Sequence, residues 1–293
     1  MSGSSSPALG VAFAVMAALS LSTAGIIMRH LAIDAWEIVF WRCLFAALAL
    51  AVVVALRSRG RMVQAMRGIG AAGLFAGLAM AYMLVTYCLA LEATLVANVV
   101  ACLAVTPFLT ALIGWLVLRE RVAASTWIGM ALALAGVLLI VVNALEAGSI
   151  YGNVLALSIA ALYAGYLVII RRKRAIDMLP ASLLAVLLAM VAALPFGLPF
   201  DVTWGALPIL VAFGAGQLAG GLVLITLASR HVAAAPLSLI MLIEAVGGVL
   251  WTWLGVGEAP AGLALVGALL VLLAALGNAL YGLRRRRRPA LAG

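Results

Sequence analysis

The chain has 293 residues, of which 68% are hydrophobic and 9% are charged, with 18 Lys and Arg against 9 Asp and Glu. Soluble domains are about 45–50% apolar and about 25% charged, so this composition excludes a water-soluble globule. The net charge of +9 does not require nucleic acid, because membrane proteins concentrate basic residues in their cytoplasmic loops.

Ten uninterrupted apolar stretches follow one another along the chain, each long enough to cross about 30 Å of hydrocarbon as a helix. No Lys or Arg precedes the first stretch, so we interpret it as a retained span rather than a cleaved signal. We predict transmembrane helices over about 8–28, 36–56, 68–91, 93–118, 123–143, 150–170, 180–199, 205–227, 233–255 and 261–282.

The basic residues divide very unequally between the two sides of these spans. With the N-terminus in the cytoplasm, 16 of the 18 Lys and Arg fall on the cytoplasmic side, and only Arg29 and Arg42 fall on the other side. Cytoplasmic loops carry such an excess in membrane proteins. The sequence therefore predicts a protein of the bacterial-type inner membrane with both termini in the cytoplasm.

An internal repeat appears when the chain is shifted by 138 residues against itself. The pattern L-x2-W-L-x3-E-x8-G begins at Leu112 and again at Leu250. The repeating unit contains five spans, an odd number, so two consecutive units lie in opposite orientations, as in many secondary transporters. The predicted fold is an all-α integral membrane protein of ten transmembrane helices, arranged as two five-helix inverted-topology repeats around a central cavity. The units are 1–143 and 144–283, followed by a basic cytoplasmic tail, 284–293.

Three short motifs carry a family resemblance. They are Phe40-Trp41-Arg42 in the second span, Thr106-Pro107-Phe108 with Arg119-Glu120 in the fourth, and Leu242-Ile243-Glu244-Ala245 with Gly257-Glu258 in the ninth. With the ten short-looped spans, they resemble the EamA branch of the drug/metabolite transporter superfamily, and most of all the YddG-type exporters of aromatic and other neutral amino acids. The resemblance implies a ten-helix basket with a central cavity and export of amino acids or related metabolites.

The sequence lacks the marks of an enzyme. Its two histidines do not form an HExxH pair, and it has neither a phosphate-binding Walker loop nor a G-x-S-x-G motif. Its three cysteines do not have metal-ligand spacing. We therefore expect a secondary transporter with no metal and no cofactor, and a membrane-embedded enzyme is the least favoured alternative.

Polar and aromatic residues near span centres mark the candidate site, because they are costly in a bilayer unless they face protein or a wet cavity. A cavity wall made of such residues would hold the ammonium and the carboxylate of a substrate while stacking on its apolar side chain. Each residue also has a structural alternative in helix packing, interfacial anchoring or interhelical hydrogen bonding. The predicted substrate-binding residues are Tyr82, Thr86, Asn98, Tyr163, Gln217, Glu244 and Trp251.

The predicted partners are a small-molecule substrate and membrane lipid, without nucleic acid, and a monomer suffices for this architecture. The leading substrates are neutral or aromatic amino acids. The alternative is broad efflux of hydrophobic amines or drugs through the same aromatic walls, without a carboxylate site.

Two charged side chains lie within the predicted spans. Glu244 is almost at the midplane, where it could bind a substrate ammonium, carry a coupled proton, or stay neutral as a structural hydrogen-bond donor. Arg42 lies just inside the outer end of the second span. For Arg42 we favour a structural pair with Glu37 or Asp34, and binding of a substrate carboxylate is the alternative.

Glycine and proline positions suggest where the spans bend and pack. We predict bending points at Pro107, which removes a backbone donor, and at Gly247 and Gly248 at similar depth in the ninth span. The alternative is that a proline is merely tolerated there. The pairs Gly73–Gly77 and Gly216–Gly220 are typical of close helix contacts.

Overall fold

A computed structural model describes residues 7–31, 33–93, 99, 102–119, 122–141, 150–198, 201–256 and 262–287. Within these ranges the chain is helical, with no strand. The helices are α1 (Pro7–Leu21), α2 (Ala24–His30), α3 (Ala35–Arg57), α4 (Met62–Gly68), α5 (Gly70–Ala93), α6 (Thr106–Leu118), α7 (Ala124–Val141), α8 (Ile150–Arg172), α9 (Leu179–Gly197), α10 (Leu207–Val211), a π-helical segment (Ala212–Ala219), α11 (Gly220–His231), α12 (Ala234–Met241), α13 (Ile243–Val256) and α14 (Gly262–Arg287).

Seven helical stretches among the described residues are long and apolar enough to cross a membrane. They are Ala8–Met28, Ala35–Arg57, Gly70–Ala90, Ile150–Arg172, Leu179–Gly197, Leu207–His231 and Ala234–Gly255. Three shorter apolar helices, Thr106–Leu118, Ala124–Leu139 and Leu265–Asn278, lie within the predicted fourth, fifth and tenth spans. Length and composition thus support seven crossings, and the other three remain predictions from the sequence.

The first span is interrupted at Ser22 and Thr23, between α1 and α2. The Ser22 hydroxyl donates to the Leu19 carbonyl over 2.7 Å, and the Thr23 hydroxyl donates to the Ser20 carbonyl over 2.8 Å. Hydroxyls that bond back to helix carbonyls compete with the backbone ladder and bend helices. The polar run in this span therefore gives the chain a local physical reason to break.

The fourth and ninth spans are also interrupted, at matching positions. A turn at residues 104–105 precedes α6, and a turn at Leu242 separates α12 from α13, so the two turns correspond in the 138-residue register. Tight i→i−3 bonds mark both, from Val105 N to Cys102 O and from Leu242 N to Leu239 O, each 3.2 Å.

The three predicted bending residues can be located relative to these turns. Pro107 lies in the first turn of α6, where a missing donor costs little, so the chain breaks just before it rather than at it. Gly247 and Gly248 lie inside α13, beyond the Leu242 turn. The helix interruption of this span is therefore at Leu242 and not at the two glycines.

Small residues let the helices approach closely, although not where the sequence suggested in the eighth span. A Cβ on Gly136 of α7 would lie 2.6 Å from the Gly267 carbonyl of α14, so those backbones are in contact. The predicted close contact through Gly216 and Gly220 is wrong, because a Cβ at either position would meet nothing within 4 Å. Gly214 makes the contact instead, against the backbone of α3.

Charged residues gather at the two ends of the bundle. At one end, Asp177 accepts from Arg57 over 2.7 Å and from Arg230 over 3.3 Å. Arg57 and Arg230 lie at the ends of α3 and α11, and Asp177 precedes α9; the sequence assigns all three positions to one membrane side. At the other end of α3, Glu37 accepts from the backbone N–H of Asp201 over 2.8 Å.

Candidate functional site

Glu244 lies in the first turn of α13, in the interior of the helix bundle. Glu244, Tyr87 of α5 and Tyr163 of α8 all lie deep in the bundle, yet each keeps part of its surface accessible. Both tyrosines lie close enough to Glu244 to interact with it electrostatically. Glu244, Tyr87 and Tyr163 therefore place one carboxyl group and two aromatic side chains in the same part of the bundle interior.

The tyrosine wall is fixed from behind. The Tyr163 ring stacks on the Tyr166 ring with centroids 6.3 Å apart and planes 17° apart. Tyr166 is 1% exposed, and its hydroxyl lies 3.4 Å from the Ser182 hydroxyl of α9. Tyr166 is therefore fixed in the interior and supports one face of the Tyr163 ring.

A second polar group surrounds Arg42 on α3, whose side chain is 5% exposed. Its Nη2 donates to Gln217 Oε1 over 3.0 Å, and its Cζ lies 4.2 Å from the centroid of the Phe213 ring. A guanidinium over an aromatic face is stabilised by the ring quadrupole. Gln217 and Phe213 both lie in the π-helical segment, a distortion that is frequent at functional sites.

Gln217 connects Arg42 to the interrupted first span. Its Nε2 donates to the Leu21 carbonyl over 2.9 Å, and its own backbone carbonyl accepts from the Ser20 hydroxyl over 3.3 Å. The carbonyl at the end of α1 is thus satisfied by a side chain from another helix. The break in the first span and the π-helical segment form one hydrogen-bonded unit.

The ninth span joins the same break from the other side. Trp251 Nε1 donates to the Ser22 hydroxyl over 2.8 Å. A Cβ on Gly247 would collide with the Ser22 side chain, whereas a Cβ on Gly248 would meet only the Ser22 carbonyl, at 3.9 Å. Gly247 therefore permits the close approach of α13 to the break in the first span.

The predicted site residues separate into two groups. Thr86 and Gln217 are buried, and Tyr163, Glu244 and Trp251 are half-buried in the interior. Tyr82 is 44% exposed, in a row with Phe75 and Leu78, and its hydroxyl lies 3.0 Å from that of Ser158. Asn98 lies outside the described residues.

The expected pairing of Arg42 is wrong. Glu37 is occupied by the Asp201 backbone, and Asp34 caps α3 by accepting from the Trp36 N–H over 2.8 Å. Arg42 has its own contacts instead, with Gln217 and Phe213. Sequence spacing favours acids on the same helix, and it does not reveal a partner 175 residues away.

Tyr87, Phe213 and Ser22 are not among the predicted substrate-binding residues. Tyr87 follows Thr86 at the centre of the third span and could have been found by the same rule. Phe213 could not, because a phenylalanine in an apolar helix carries no polar signal.

Within the described ranges, no group of three or more His, Cys, Asp or Glu side chains could hold a metal ion. The arrangement offers binding groups of both charges.

Comparison with known proteins gives a family match in the first half of the chain. Residues 8–142 match the EamA-like transporter family. This match supports the resemblance to the EamA branch of the drug/metabolite transporter superfamily. Together with the seven long apolar helices, this family match indicates a protein that is embedded in a membrane. The chain is an integral membrane protein.

The fold has a close counterpart among solved structures. One structure, named only "Crystal structure of protein", is 19% identical with a TM-score of 0.78, over 94% of this chain and 99% of that one. At this identity the similarity concerns the fold alone. No curated protein matches the sequence.

The EamA-like match covers only part of the site. It contains Arg42, Tyr87 and the turn before α6, whereas Gln217 and Glu244 lie beyond it. The interior site therefore contains residues from both halves of the chain. The family match covers only the residues from the first half.

Proposed function

We propose that the protein is a secondary transporter that exports small zwitterionic metabolites, above all neutral and aromatic amino acids, from the cytoplasm by alternating access. The supporting observation is the group of Glu244, Tyr87 and Tyr163 in the bundle interior, which is proposed to line the substrate cavity. A carboxyl group deep in a membrane bundle is expensive and typically functional. The match to a transporter family supports the same class.

The cavity suits an amino acid with an apolar side chain. Glu244 accepts the substrate ammonium, and the ring faces of Tyr87 and Tyr163 attract the cation and stack on an aromatic side chain. A coupled proton on Glu244 and a purely structural hydrogen bond are the competing roles. Substitution of Glu244 separates these roles, as the last experiment of the Discussion describes.

The proposed architecture is ten spans in two inverted repeats. Spans that correspond between the repeats pack on each other, through α3 and α9, through α6 and α12, and through α7 and α14. The contact of α5 with α8 also has its counterpart in that of α1 with α11. Such pairing is expected of two units related by an axis in the membrane plane.

The repeated motif supports this architecture from the outside of the bundle. Leu112, Trp115 and Leu116 are all exposed, and so are their counterparts Leu250, Trp253 and Leu254. Matching residues thus have matching environments, and apolar exposed side chains at these positions suit contact with lipid.

The proposed orientation puts both termini in the cytoplasm of an inner membrane. If a cysteine substituted for Arg59 is labelled only from the cytoplasmic side, the result agrees with this orientation. Labelling from the outside contradicts it.

Gating is proposed to use the interrupted fourth and ninth spans. The sequence has no Walker loop, and we propose that thermal motion biased by gradients moves the helices between inward- and outward-open states. Pro107, Gly247 and Gly248 are the proposed bending residues, each close to a helix interruption. Crosslinks between the ends of these spans should stop transport. Unchanged rates in both Pro107→Ala and Gly248→Leu contradict the hinge.

The second candidate function is efflux of hydrophobic amines. Aromatic rings beside a carboxyl group bind organic cations whether or not these carry a carboxylate. Liposomes preloaded with unlabelled amino acids test both functions by counterflow of labelled L-phenylalanine. Saturable counterflow that other neutral amino acids inhibit agrees with the proposed function. Its absence, with counterflow of cationic dyes instead, supports amine efflux.

A further inference from the structure

Arg42 is a nearly buried cation with few protein partners. A guanidinium carries five N–H donors. Of these, the Arg42 side chain uses one, from Nη2 to Gln217, and its buried Nε–H has no hydrogen-bond partner. Among the residues that the structure describes, no carboxylate lies within ion-pairing distance of it. A buried charge that has no counter-ion and leaves most of its donors unused is strongly destabilising.

Arg171 shows what a structural buried arginine looks like in the same protein. It is 6% exposed, and its Nη1 donates to the carbonyls of Ser229 and Arg230 over 3.1 and 3.4 Å. These carbonyls end α11, where a cation stabilises the helix dipole. Arg42 lies instead in the middle of packed helices, against a neutral amide and an aromatic ring.

The surroundings of Arg42 fix its position without neutralising it. Gln217 is held by the Leu21 carbonyl, so its Oε1 points to the guanidinium. Phe213 covers one face of the guanidinium, and Gly214 brings the π-helical segment against the Arg42 backbone. These contacts preorganise the group, and none of them supplies a negative charge.

The opposite charge of the site lies nearby but is not in contact. Glu244 and Arg42 interact electrostatically, yet they form no direct ion pair, as judged from the side chains described. Tyr87 interacts electrostatically with both charges. A carboxyl group and a guanidinium that are near each other but unpaired are the two groups that the ammonium and the carboxylate of an amino acid require.

We propose that Arg42 binds the carboxylate of the transported solute, and that Gln217 and Phe213 are positioning residues for its guanidinium. A carboxylate accepts two parallel bonds from a guanidinium fork, so the unused donors gain their partner when the solute enters. This assignment rests on the proposed function, because it concerns the same interior site. It makes an α-carboxylate a requirement for tight binding.

Proteoliposomes test the assignment with two probes that share one side chain. Labelled L-phenylalanine carries a carboxylate, and unlabelled phenethylamine lacks it. In the wild type, we expect phenethylamine to inhibit phenylalanine counterflow at least about tenfold more weakly than unlabelled phenylalanine does. In Arg42→Met, phenylalanine should lose affinity until the two inhibitors are equal within about twofold.

Two further variants keep the test informative. Gln217→Glu places a carboxylate beside the guanidinium, so it should remove the preference for phenylalanine while Arg42 is still present. Arg57→Met removes an arginine from the far end of the same helix and should keep the wild-type preference. Gel filtration and thermal unfolding of each variant establish folding, and Gln217→Glu decides the question if Arg42→Met does not fold.

The outcomes separate the inference from the proposed function. If the wild type carries phenylalanine, and Arg42→Met or Gln217→Glu keeps the full preference over phenethylamine, the assignment of Arg42 is wrong and the proposed function stands. If the wild type carries no amino acid, both fail. Loss of the preference in these two variants, but not in Arg57→Met, supports the assignment.

Discussion

Two arginine-centred clusters lie on the same helix at different depths. Arg42 and Arg57 both belong to α3 and are about 22 Å apart along its axis, given a rise of 1.5 Å per residue. At the end of the bundle, Arg57 and Arg230 share the Asp177 carboxylate, and these side chains are about one-third exposed. In the interior, Arg42 is 5% exposed, with an amide and an aromatic ring for partners.

The difference supports the proposal that Arg42 carries function. At the solvated end, opposite charges pair and each pair contributes about 0–1 kcal/mol. In the interior, desolvation is severe, and packing alone would favour an apolar residue there. An unneutralised charge kept at that depth indicates a transient anionic partner. Changes to the interior cluster should therefore have large effects on transport, and changes to the end cluster should have small effects.

The largest effect is expected from Gly214→Ala. The new methyl group would collide with the Arg42 carbonyl and with Phe45 Cβ, and backbone atoms cannot move aside as a flexible side chain can. Overpacking of this kind costs about 1–3 kcal/mol, and it displaces Arg42 as well. We expect a lower thermal unfolding temperature and loss of most counterflow.

Gly216→Ala is the matched control on the same segment. A Cβ there meets no atom within 4 Å, so both the unfolding temperature and counterflow should remain near wild type. Equal effects of the two substitutions would contradict the close contact between the π-helical segment and α3.

A smaller effect is expected from removing one wall of the cavity. Tyr163→Ala should weaken the apparent affinity for phenylalanine about three- to tenfold, since an aromatic pair contributes about 0.5–1.5 kcal/mol. Tyr82→Ala removes the same side chain from the exposed row of α5 and should change affinity by less than about twofold. Concentration-dependent counterflow measures both. A larger loss in Tyr82→Ala than in Tyr163→Ala would mean that the cavity lies elsewhere.

The smallest effect is expected from Asp177→Asn, which breaks both ion pairs of the end cluster. Because these groups are solvated, the free energy of unfolding should fall by less than about 1 kcal/mol. Salt screens such pairs, so the difference from wild type should shrink between low and high salt. A loss as large as that of Gly214→Ala, unchanged by salt, would remove the contrast between the clusters.

Much of the fold could be predicted from the sequence, and the contacts inside it could not. Apolar stretches of sufficient length indicate the helices, and the basic loops indicate which helix ends share one side. Glu244 and Gln217 could be selected from the sequence as candidate site residues, because polar groups at span centres are costly. The partner of Arg42 could not, since a π-helical turn changes which side chains face inward. Similarly, one glycine spacing suggested Gly216, whereas packing uses Gly214.

Two opposite charges in the interior, Arg42 and Glu244, are proposed to bind the two ends of a zwitterion. Glu244→Gln tests this proposal most directly. The substitution keeps shape and hydrogen bonding but removes the charge. Binding of labelled L-phenylalanine to the purified protein should weaken at least about tenfold at every pH tested. Competition by 3-phenylpropionate, which lacks the ammonium, should equal that in wild type.

The same variant in liposomes, with and without a pH gradient, separates the competing roles of Glu244. Weaker affinity with either gradient agrees with ammonium binding. Normal downhill flux that no longer responds to the gradient assigns Glu244 to proton coupling and contradicts ammonium binding. Wild-type affinity together with wild-type gradient response in Glu244→Gln would show that the charge has no function, and the account of the site would be wrong.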